Sequence, residues 1–167
     1  QEPRKYTWNA DGLMLREETL GGEQVRVREY DEDHYLLSEA NAAGEKVQCF
    51  YDARGNLSQR IDPAGNTTAW EVEDDRPVVR IDPDGNETTY EHDERGALIA
   101  VTYATGLRHT LSYDGRGRLT AVHGADGLVA GFAYDTQHNL VREVDARGAV
   151  TEYTYDVFGR PTARHDA

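Results

Sequence analysis

Residues 51–72 read YDARGNLSQRIDPAGNTTAWEV, and this stretch contains the features that decide the fold. It opens with Tyr51-Asp52, turns at Gly55, continues through an apolar segment and turns again at residues 62–66. In the second turn an aspartate can accept hydrogen bonds from the backbone ahead of it, proline presets φ at about −65°, and glycine and asparagine tolerate positive φ. The stretch therefore predicts β-strands joined by two tight turns.

This pattern recurs along the chain with a period of about 21 residues. A Tyr-Asp pair begins at residues 30, 51, 113, 134 and 155, and weaker versions begin at residues 8, 72 and 92. The eight starts are separated by 22, 21, 21, 20, 21, 21 and 21 residues. Such a regular period predicts a tandem array in which each unit is one hairpin. We expect a single array over residues 1–167, with an incomplete last unit.

Glycine occupies the expected turn positions in most units. Where the first-turn glycine is missing, His34 and His138 replace it in two units, and histidine is among the side chains enriched at positive φ. We therefore expect both histidines to serve the turn and not to bind a ligand. In the third unit without this glycine, Arg76 stands in its place. Because Pro77 follows Arg76, we expect a different turn there. The glycines assigned to turns are Gly12, Gly22, Gly44, Gly55, Gly65, Gly85, Gly96, Gly106, Gly117, Gly127, Gly148 and Gly159.

The segments before each Tyr-Asp pair alternate apolar and polar residues, as half-buried strands do. The alternation predicts that one residue per unit contributes to a continuous row on one face of the sheet. The 22-residue first spacing predicts an extra residue near Glu29, in the form of a β-bulge. The predicted row consists of Val27, Cys49, Trp70, Tyr90, Leu111, Phe132 and Tyr153.

The fold class that follows is all-β, with antiparallel hairpin repeats forming a curved, open strip. About 15 or 16 strands at roughly 4.8 Å each give a strip on the order of 75 Å wide. A cavity that holds a folded domain needs a circumference of roughly 125 Å, since even a 100-residue domain has a radius of gyration of about 13 Å. We therefore expect an open wall whose edge strands expose unpaired backbone groups. The isolated array should either self-associate through its edges or have frayed terminal hairpins, and it should not retain cargo.

Composition and charge exclude several classes of protein. The chain carries 31 acidic against 18 basic residues, a net charge of −13, which repels phosphate backbones and argues against nucleic-acid binding. No apolar run approaches the roughly 20 residues of a membrane-spanning helix, so we expect no membrane insertion. Cys49 is the single cysteine, so an internal disulfide is impossible, and a small buried strand residue is the simplest interpretation.

The two ends of the sequence indicate a fragment of a longer protein. Residues 1–5 contain neither an initiator methionine nor a signal-peptide core, so we expect the true start to lie upstream or to have been removed. Residues 164–167 align with residues 60–63, which places the last residue inside a second turn, before its glycine.

With Tyr-Asp-x-x-Gly-x-Leu and Asp-Pro-x-Gly-Asn-x-Thr repeated at this period, the sequence resembles the RHS/YD repeat family. The clearest copy is residues 51–68, the resemblance extends over residues 8–167, and residues 72–76 depart most from the pattern. Neither Asp62-Pro63 nor Asp82-Pro83 belongs to the self-cleavage motif that ends bacterial members, because both lie in repeat turns.

The resemblance implies a structural function. In bacterial RHS proteins and related toxin-complex subunits such repeats form a hollow β-shell around a C-terminal toxin domain, and in teneurins a similar shell serves adhesion. We therefore expect a non-enzymatic wall segment of a polymorphic toxin. Its partners are expected to be the rest of the same polypeptide and its toxin cargo. We expect synthesis in the bacterial cytoplasm, then secretion or delivery to target cells, often by type VI secretion.

No catalytic, cofactor-binding or metal-binding residue is predicted. The acidic runs 31–33 and 73–75 suit solvated turns better than acid/base pairs, and residues 82–86 lack the distal glutamate of a calcium loop. The main alternative is a glycan- or protein-binding adhesion module, which needs aromatic rings exposed beside polar groups; a hydrolase needs a pocket of perturbed carboxylates. The candidate nucleophiles Ser38, Ser58, Ser112 and Cys49 are scattered over different repeats.

Overall fold

The computed structural model describes residues 3–22 and 25–166, and every regular element within them is a β-strand. The chain divides into two compact units, Gln1–Glu87 and Thr88–Ala167. No helix in the described residues is long and apolar enough to cross a membrane.

In the first unit eight strands pair in the order of the sequence, each antiparallel to the next. The first and last strands of this unit do not pair with each other in the described residues, so the unit does not close on itself. The strands are β1 (Arg4–Trp8), β2 (Met14–Thr19), β3 (Val25–Tyr30), β4 (Leu36–Asn41), β5 (Lys46–Tyr51), β6 (Leu57–Ile61), β7 (Thr67–Glu73) and β8 (Arg76–Ile81).

The second unit repeats the arrangement with eight further strands, again paired in sequence order, and its first and last strands do not pair with each other in the described residues. The all-β fold of antiparallel hairpin repeats is therefore confirmed. The strands are β9 (Glu87–His92), β10 (Leu98–Thr102), β11 (Arg108–Tyr113), β12 (Leu119–Gly124), β13 (Gly127–Tyr134), β14 (Leu140–Asp145), β15 (Val150–Tyr155) and β16 (Pro161–Asp166).

The turns have the predicted backbone geometry. Every glycine assigned to a turn has positive φ, and so do His34 at 71° and His138 at 73°, which confirms their turn role. The turn before Arg76 differs, as predicted, because Asp74 and Asp75 both have positive φ, at 49° and 60°. Glu73 pairs directly with Arg76, which makes this turn short and accounts for the 20-residue spacing.

A β-bulge recurs at one position in every hairpin built around a first turn. The register shifts one residue before the Tyr-Asp position, for example between Phe50 and Tyr51, where Ser58 is the extra residue on the partner strand. The same shift occurs at Glu29/Tyr30, so the bulge near Glu29 belongs to the repeat. It does not supply the extra residue of the 22-residue spacing, and that part of the prediction is wrong.

The extra residue lies in the preceding second turn. Six residues, 19–24, separate the paired Glu18 and Val25, whereas five separate Ala40 from Lys46. Part of this longer turn, residues 23 and 24, is outside the described residues.

Strand pairing tests the predicted row, because residues paired across an antiparallel ladder share a face. Cys49 pairs with Arg60, and Arg60 pairs with Thr68, which places Trp70 on the face of Cys49. In the second unit the same tracing through β10 to β15 places Tyr90, Leu111, Phe132 and Tyr153 on one face. The row is therefore confirmed for these members, within each unit.

Val27 does not belong to the row. It pairs with Ala40, which pairs with Lys46, and Lys46 lies on the face opposite to Cys49. The equivalent residue, two positions before Tyr30, is Arg28, which pairs with Glu39 and lies on the correct face. The prediction failed because the extra residue lies before β3, so counting forward from the first unit shifts the register by one.

The core of each unit is thin. Along β5 the residues Val47, Cys49 and Tyr51 are half-buried, and the residues between them are exposed. Ala100, at 1% exposure, is the one fully buried hydrophobic residue in the described part of the chain, and no large side chain there is completely buried. Each strand is therefore stabilised mainly by its neighbours in the sheet.

Candidate functional site

An aspartate or asparagine caps most turns. The Asp52 Oδ1 accepts hydrogen bonds from the backbone N–H groups of Arg54 and Asn56, at 2.8 and 2.9 Å. Two backbone donors that the turn leaves without a ladder partner are thereby satisfied. The residues that cap in this way are Asn9, Asp31, Asn41, Asp52, Asp62, Asp82, Asp93, Asp114, Asp135, Asp145 and Asp156.

These hydrogen bonds favour the ionised carboxylate. The backbone N–H of Arg118, helped by its guanidinium, lowers the pKa of Asp114 to about 2. Asn56 lowers the pKa of Asp52 in the same manner. Every described carboxyl group with a resolved shift has a lowered pKa, whereas a general acid at neutral pH needs a raised one.

Tyrosine hydroxyls join neighbouring repeats. The tyrosine of a Tyr-Asp pair donates a hydrogen bond to the carbonyl oxygen of the residue that opens the second strand of the preceding hairpin. We call this contact the tyrosine clasp. It links Tyr51 to Leu36 at 3.0 Å, and the ring is half-buried on the sheet face. The other clasps link Tyr30 to Met14 at 3.3 Å, Tyr113 to Leu98 at 2.8 Å and Tyr155 to Leu140 at 2.8 Å.

Tyr134 is held in a different way. The Arg118 guanidinium lies over its ring at 4.6 Å and donates a hydrogen bond to the Asp135 carbonyl at 3.2 Å. Asp114 fixes the guanidinium through a 2.7 Å ion pair. A cation–π contact therefore joins these two repeats in place of a hydroxyl bond.

A cleft of about 860 Å³ lies in the first unit around the first turns of two repeats. The ring centroids of Tyr35 and Tyr51 lie 4.9 Å apart there. A Cβ added to Gly55 would lie only 2.0 Å from the Tyr35 hydroxyl oxygen. Tyr35 and Phe50 are 37% and 43% exposed. Aromatic rings are thus exposed beside polar groups of the same cleft, among them Glu29, Ser38, Lys46 and Gln48.

In the part of the chain that the structure describes, no hydrogen bond joins a candidate nucleophile to a histidine. The buried Ser38 hydroxyl donates to Glu29 Oε2 at 2.6 Å, and Lys46 contacts the same oxygen at 2.6 Å. Ser58 donates to the Phe50 carbonyl at the bulge. Burial raises the pKa of the Cys49 thiol, which favours its protonated form. Sequence reasoning had not connected Glu29 with Lys46, since two strands of different hairpins bring them together.

The acidic runs serve turns. Asp31 caps its own turn, Asp74 and Asp75 form the short turn, and Asp82 caps the turn at 82–86 while accepting bonds from the Asn86 side chain. Within the described ranges no group of three or more His, Cys, Asp or Glu side chains could hold a metal ion.

The RHS repeat family matches four overlapping stretches, residues 73–109, 93–129, 113–150 and 134–167, which together span more than half of the chain. The chain belongs to the RHS repeat family. Comparison with individual curated proteins gave no match.

Three solved structures with the same fold illustrate the likeness. The RHS chain aligns with TcdB2-TccC3 without its hypervariable C-terminal region at a TM-score of 0.68 and 17% identity, over 98% of this chain and 10% of that chain. It aligns with TcdB2-TccC3-Cdc42 at a TM-score of 0.67 and 17% identity, with the same coverage of both chains. The Photorhabdus luminescens Tc holotoxin pore aligns at a TM-score of 0.50 and 13% identity, over 98% of this chain and 14% of that chain. These likenesses show a shared fold, and the chain spans about a tenth of the first of these structures.

Proposed function

We propose that this RHS array is a wall segment of a β-shell that encloses a toxin domain before delivery, and that it is not itself an enzyme. The observation that carries the proposal is the tyrosine clasp, which recurs at Tyr30, Tyr51, Tyr113 and Tyr155 and ties each of these four repeats to the one before it. A sheet that grows by identical local contacts suits a wall of any width.

The partners we propose are the rest of the same polypeptide and its cargo. A strand at the edge of an isolated unit has unpaired backbone groups, which further repeats or a second copy would satisfy. In the cell, such a protein would be made in the bacterial cytoplasm and then secreted or delivered by a secretion system. The lowered carboxyl pKa values described above support a structural role, because the hydrogen bonds that lower them are the ones that hold the turns in place.

Weakening the clasps tests the wall function. In the longer polypeptide that contains the array, Tyr113→Phe combined with Tyr155→Phe removes two clasps in one unit. We expect the enclosed domain to become cleavable by an added protease while the circular dichroism spectrum stays β-rich. The matched control is Tyr103→Phe, since the Tyr103 hydroxyl makes no hydrogen bond in the described residues and its ring is 40% exposed. Equal cleavage of the enclosed domain in wild type and double variant would contradict the proposal.

A second candidate function is binding of a glycan or protein by the cleft around Tyr35. The exposed Tyr35 and Phe50 rings beside Lys46 and Gln48 favour it, because aromatic faces and amide groups together recognise sugars. The test is a glycan-array screen of the whole chain against its Phe50→Ser variant. Loss of a bound glycan in that variant would support binding in this cleft. If no glycan on the screen binds the wild-type chain, glycan binding is rejected.

A further inference from the structure

One repeat of the first unit lacks its clasp. The Tyr-Asp position is occupied there by Val72, and the carbonyl that a tyrosine hydroxyl would reach belongs to Leu57, 15 residues earlier. The same interval joins Tyr51 to Leu36, where the hydroxyl bond is present. Valine carries neither the ring nor the hydroxyl, so the position of the phenol is left open.

A pocket occupies that position. It has a volume of about 240 Å³ and is lined by both Leu57 and Val72, together with Trp70 and Pro77. Trp70 lies on the same face, two residues before Val72, and Pro77 pairs with Val72 across the ladder. An apolar cavity of roughly 150 Å³ is already large enough to hold a benzene molecule. The pocket therefore has room for one aromatic ring.

The polar surroundings discriminate among aromatic rings. The Leu57 carbonyl is an acceptor in the place where three other repeats of the chain receive a tyrosine hydroxyl at 2.8–3.0 Å. Asn56 and Asp75 also line the pocket, and both are polar. A ring with a hydroxyl para to its attachment point reproduces the contacts of the missing tyrosine, whereas a plain phenyl ring leaves the acceptor without this donor.

We propose that this pocket binds a phenol ring supplied from outside the sheet, namely the tyrosine side chain of a polypeptide segment held against this face. The ring packs on Leu57, Trp70 and Pro77, and its hydroxyl donates to the Leu57 carbonyl. A polypeptide is the source because four other repeats receive the same group from tyrosine side chains of the chain itself. The site is independent of the wall function, since it needs only the local geometry of β6 to β8.

Trp70 fluorescence can report the binding. The chain has two tryptophans, so the Trp8→Phe variant leaves Trp70 as the single indole. Titration with p-cresol should change its emission with a dissociation constant on the order of millimolar, which is the affinity expected of so small a ligand. Toluene should bind about fivefold more weakly, since it lacks one hydrogen bond. Equal affinity for p-cresol and toluene would overturn the hydroxyl contact.

Filling the pocket is the second arm. Val72→Tyr supplies the ring from the chain itself and should abolish the change in Trp70 emission caused by p-cresol. The control Val157→Tyr makes the same change at a turn residue that is 82% exposed, and it should leave that change in emission intact. An unchanged response in Val72→Tyr would place the ligand elsewhere and refute the site.

The third arm distinguishes the source. N-acetyl-Gly-Tyr-Gly-amide should compete with p-cresol, and the matching Gly-Phe-Gly peptide should compete at least fivefold less well. Binding of p-cresol without competition by the tyrosine peptide would mean that only a free phenol fits, and would reject the polypeptide source. None of these outcomes depends on whether the array encloses a toxin, so the two proposals fail separately.

Discussion

The contact between Tyr35 and Gly55 can be tested with a matched pair of substitutions. Gly55 and Gly65 have nearly identical backbones, with φ of +86° and +87°. A Cβ at Gly65 meets nothing within 4 Å, whereas a Cβ at Gly55 lies 2.0 Å from the Tyr35 hydroxyl oxygen and 2.6 Å from its Cζ. Alanine at either position has the same backbone strain, so the difference between the two variants isolates the displacement of Tyr35.

The magnitudes follow from these two contributions. An alanine held in the left-handed region costs about 1–2 kcal/mol, which applies to both variants. Gly55→Ala must in addition move the Tyr35 ring, which is packed at 4.9 Å on Tyr51. An aromatic pair contributes about 0.5–1.5 kcal/mol. We therefore expect the free energy of unfolding to fall by about 1–2 kcal/mol for Gly65→Ala and by about 2–3 kcal/mol for Gly55→Ala.

Urea unfolding followed by tyrosine and tryptophan fluorescence measures both variants, and native-state hydrogen exchange on β5 and β6 localises the effect. The decisive control is Tyr35→Ala, which removes the obstructing ring. In that background Gly55→Ala should cost no more than Gly65→Ala. If the excess cost of Gly55→Ala survives in the Tyr35→Ala background, or is absent in the wild type, the contact with Tyr35 does not constrain this turn.

Three further predictions concern the clasps and caps. Tyr155→Phe should lower the free energy of unfolding by about 1 kcal/mol, because the bond to the Leu140 carbonyl is lost; an unchanged urea midpoint would refute this. Asp114 has a folded-state pKa of about 2, below its ordinary 3.8, so its contribution is complete above about pH 4 and disappears towards pH 2. Asp114→Asn should flatten the dependence of the urea midpoint on pH in that window, and an unchanged slope would contradict the assignment. Val72→Tyr should raise the free energy of unfolding by about 1 kcal/mol through a new bond to the Leu57 carbonyl; a lower urea midpoint than wild type would contradict it.

The turns could be predicted from the sequence because their chemistry is local. Asp, Gly and Asn act within five residues of one another, and His34 stands where only a few side chains accept positive φ. The same reasoning identified the different turn before Pro77, since proline and the missing glycine are both visible in the sequence. Hairpins with known turns and a period of two then determine which residues share a face.

The register was harder to predict, because it depends on where an insertion lies. Val27 was assigned to the row by counting across a 22-residue spacing, and the structure places the additional residue in the turn before β3 instead of at Glu29. Counting back from Tyr30 would have selected Arg28. The Tyr-Asp pair is thus a better reference point than the preceding unit, since the tyrosine itself is fixed by its neighbours.

The clasps escaped sequence reasoning for a different cause. A tyrosine hydroxyl is visible in the sequence, but its acceptor is a backbone carbonyl, and every residue has one. The partner of Tyr51 becomes apparent only when the strand pairing places Leu36 within reach. The Arg118 contact with Tyr134 is equally invisible, because an arginine after a turn glycine reads as a solvated charge.

The thin core explains why single clasps matter and why one can be missing. With so few fully buried side chains, each repeat is stabilised by contacts with its two neighbours, and stability is approximately a sum over such interfaces. In the first unit the clasp is 3.3 Å at Tyr30, 3.0 Å at Tyr51 and absent at Val72. The missing clasp at Val72 removes one contribution to the stability of the unit. The sheet is nevertheless kept there, since the ladder between β7 and β8 remains. The repeat that lacks the tyrosine is therefore the place in this unit where an external aromatic ring can make the most new contacts.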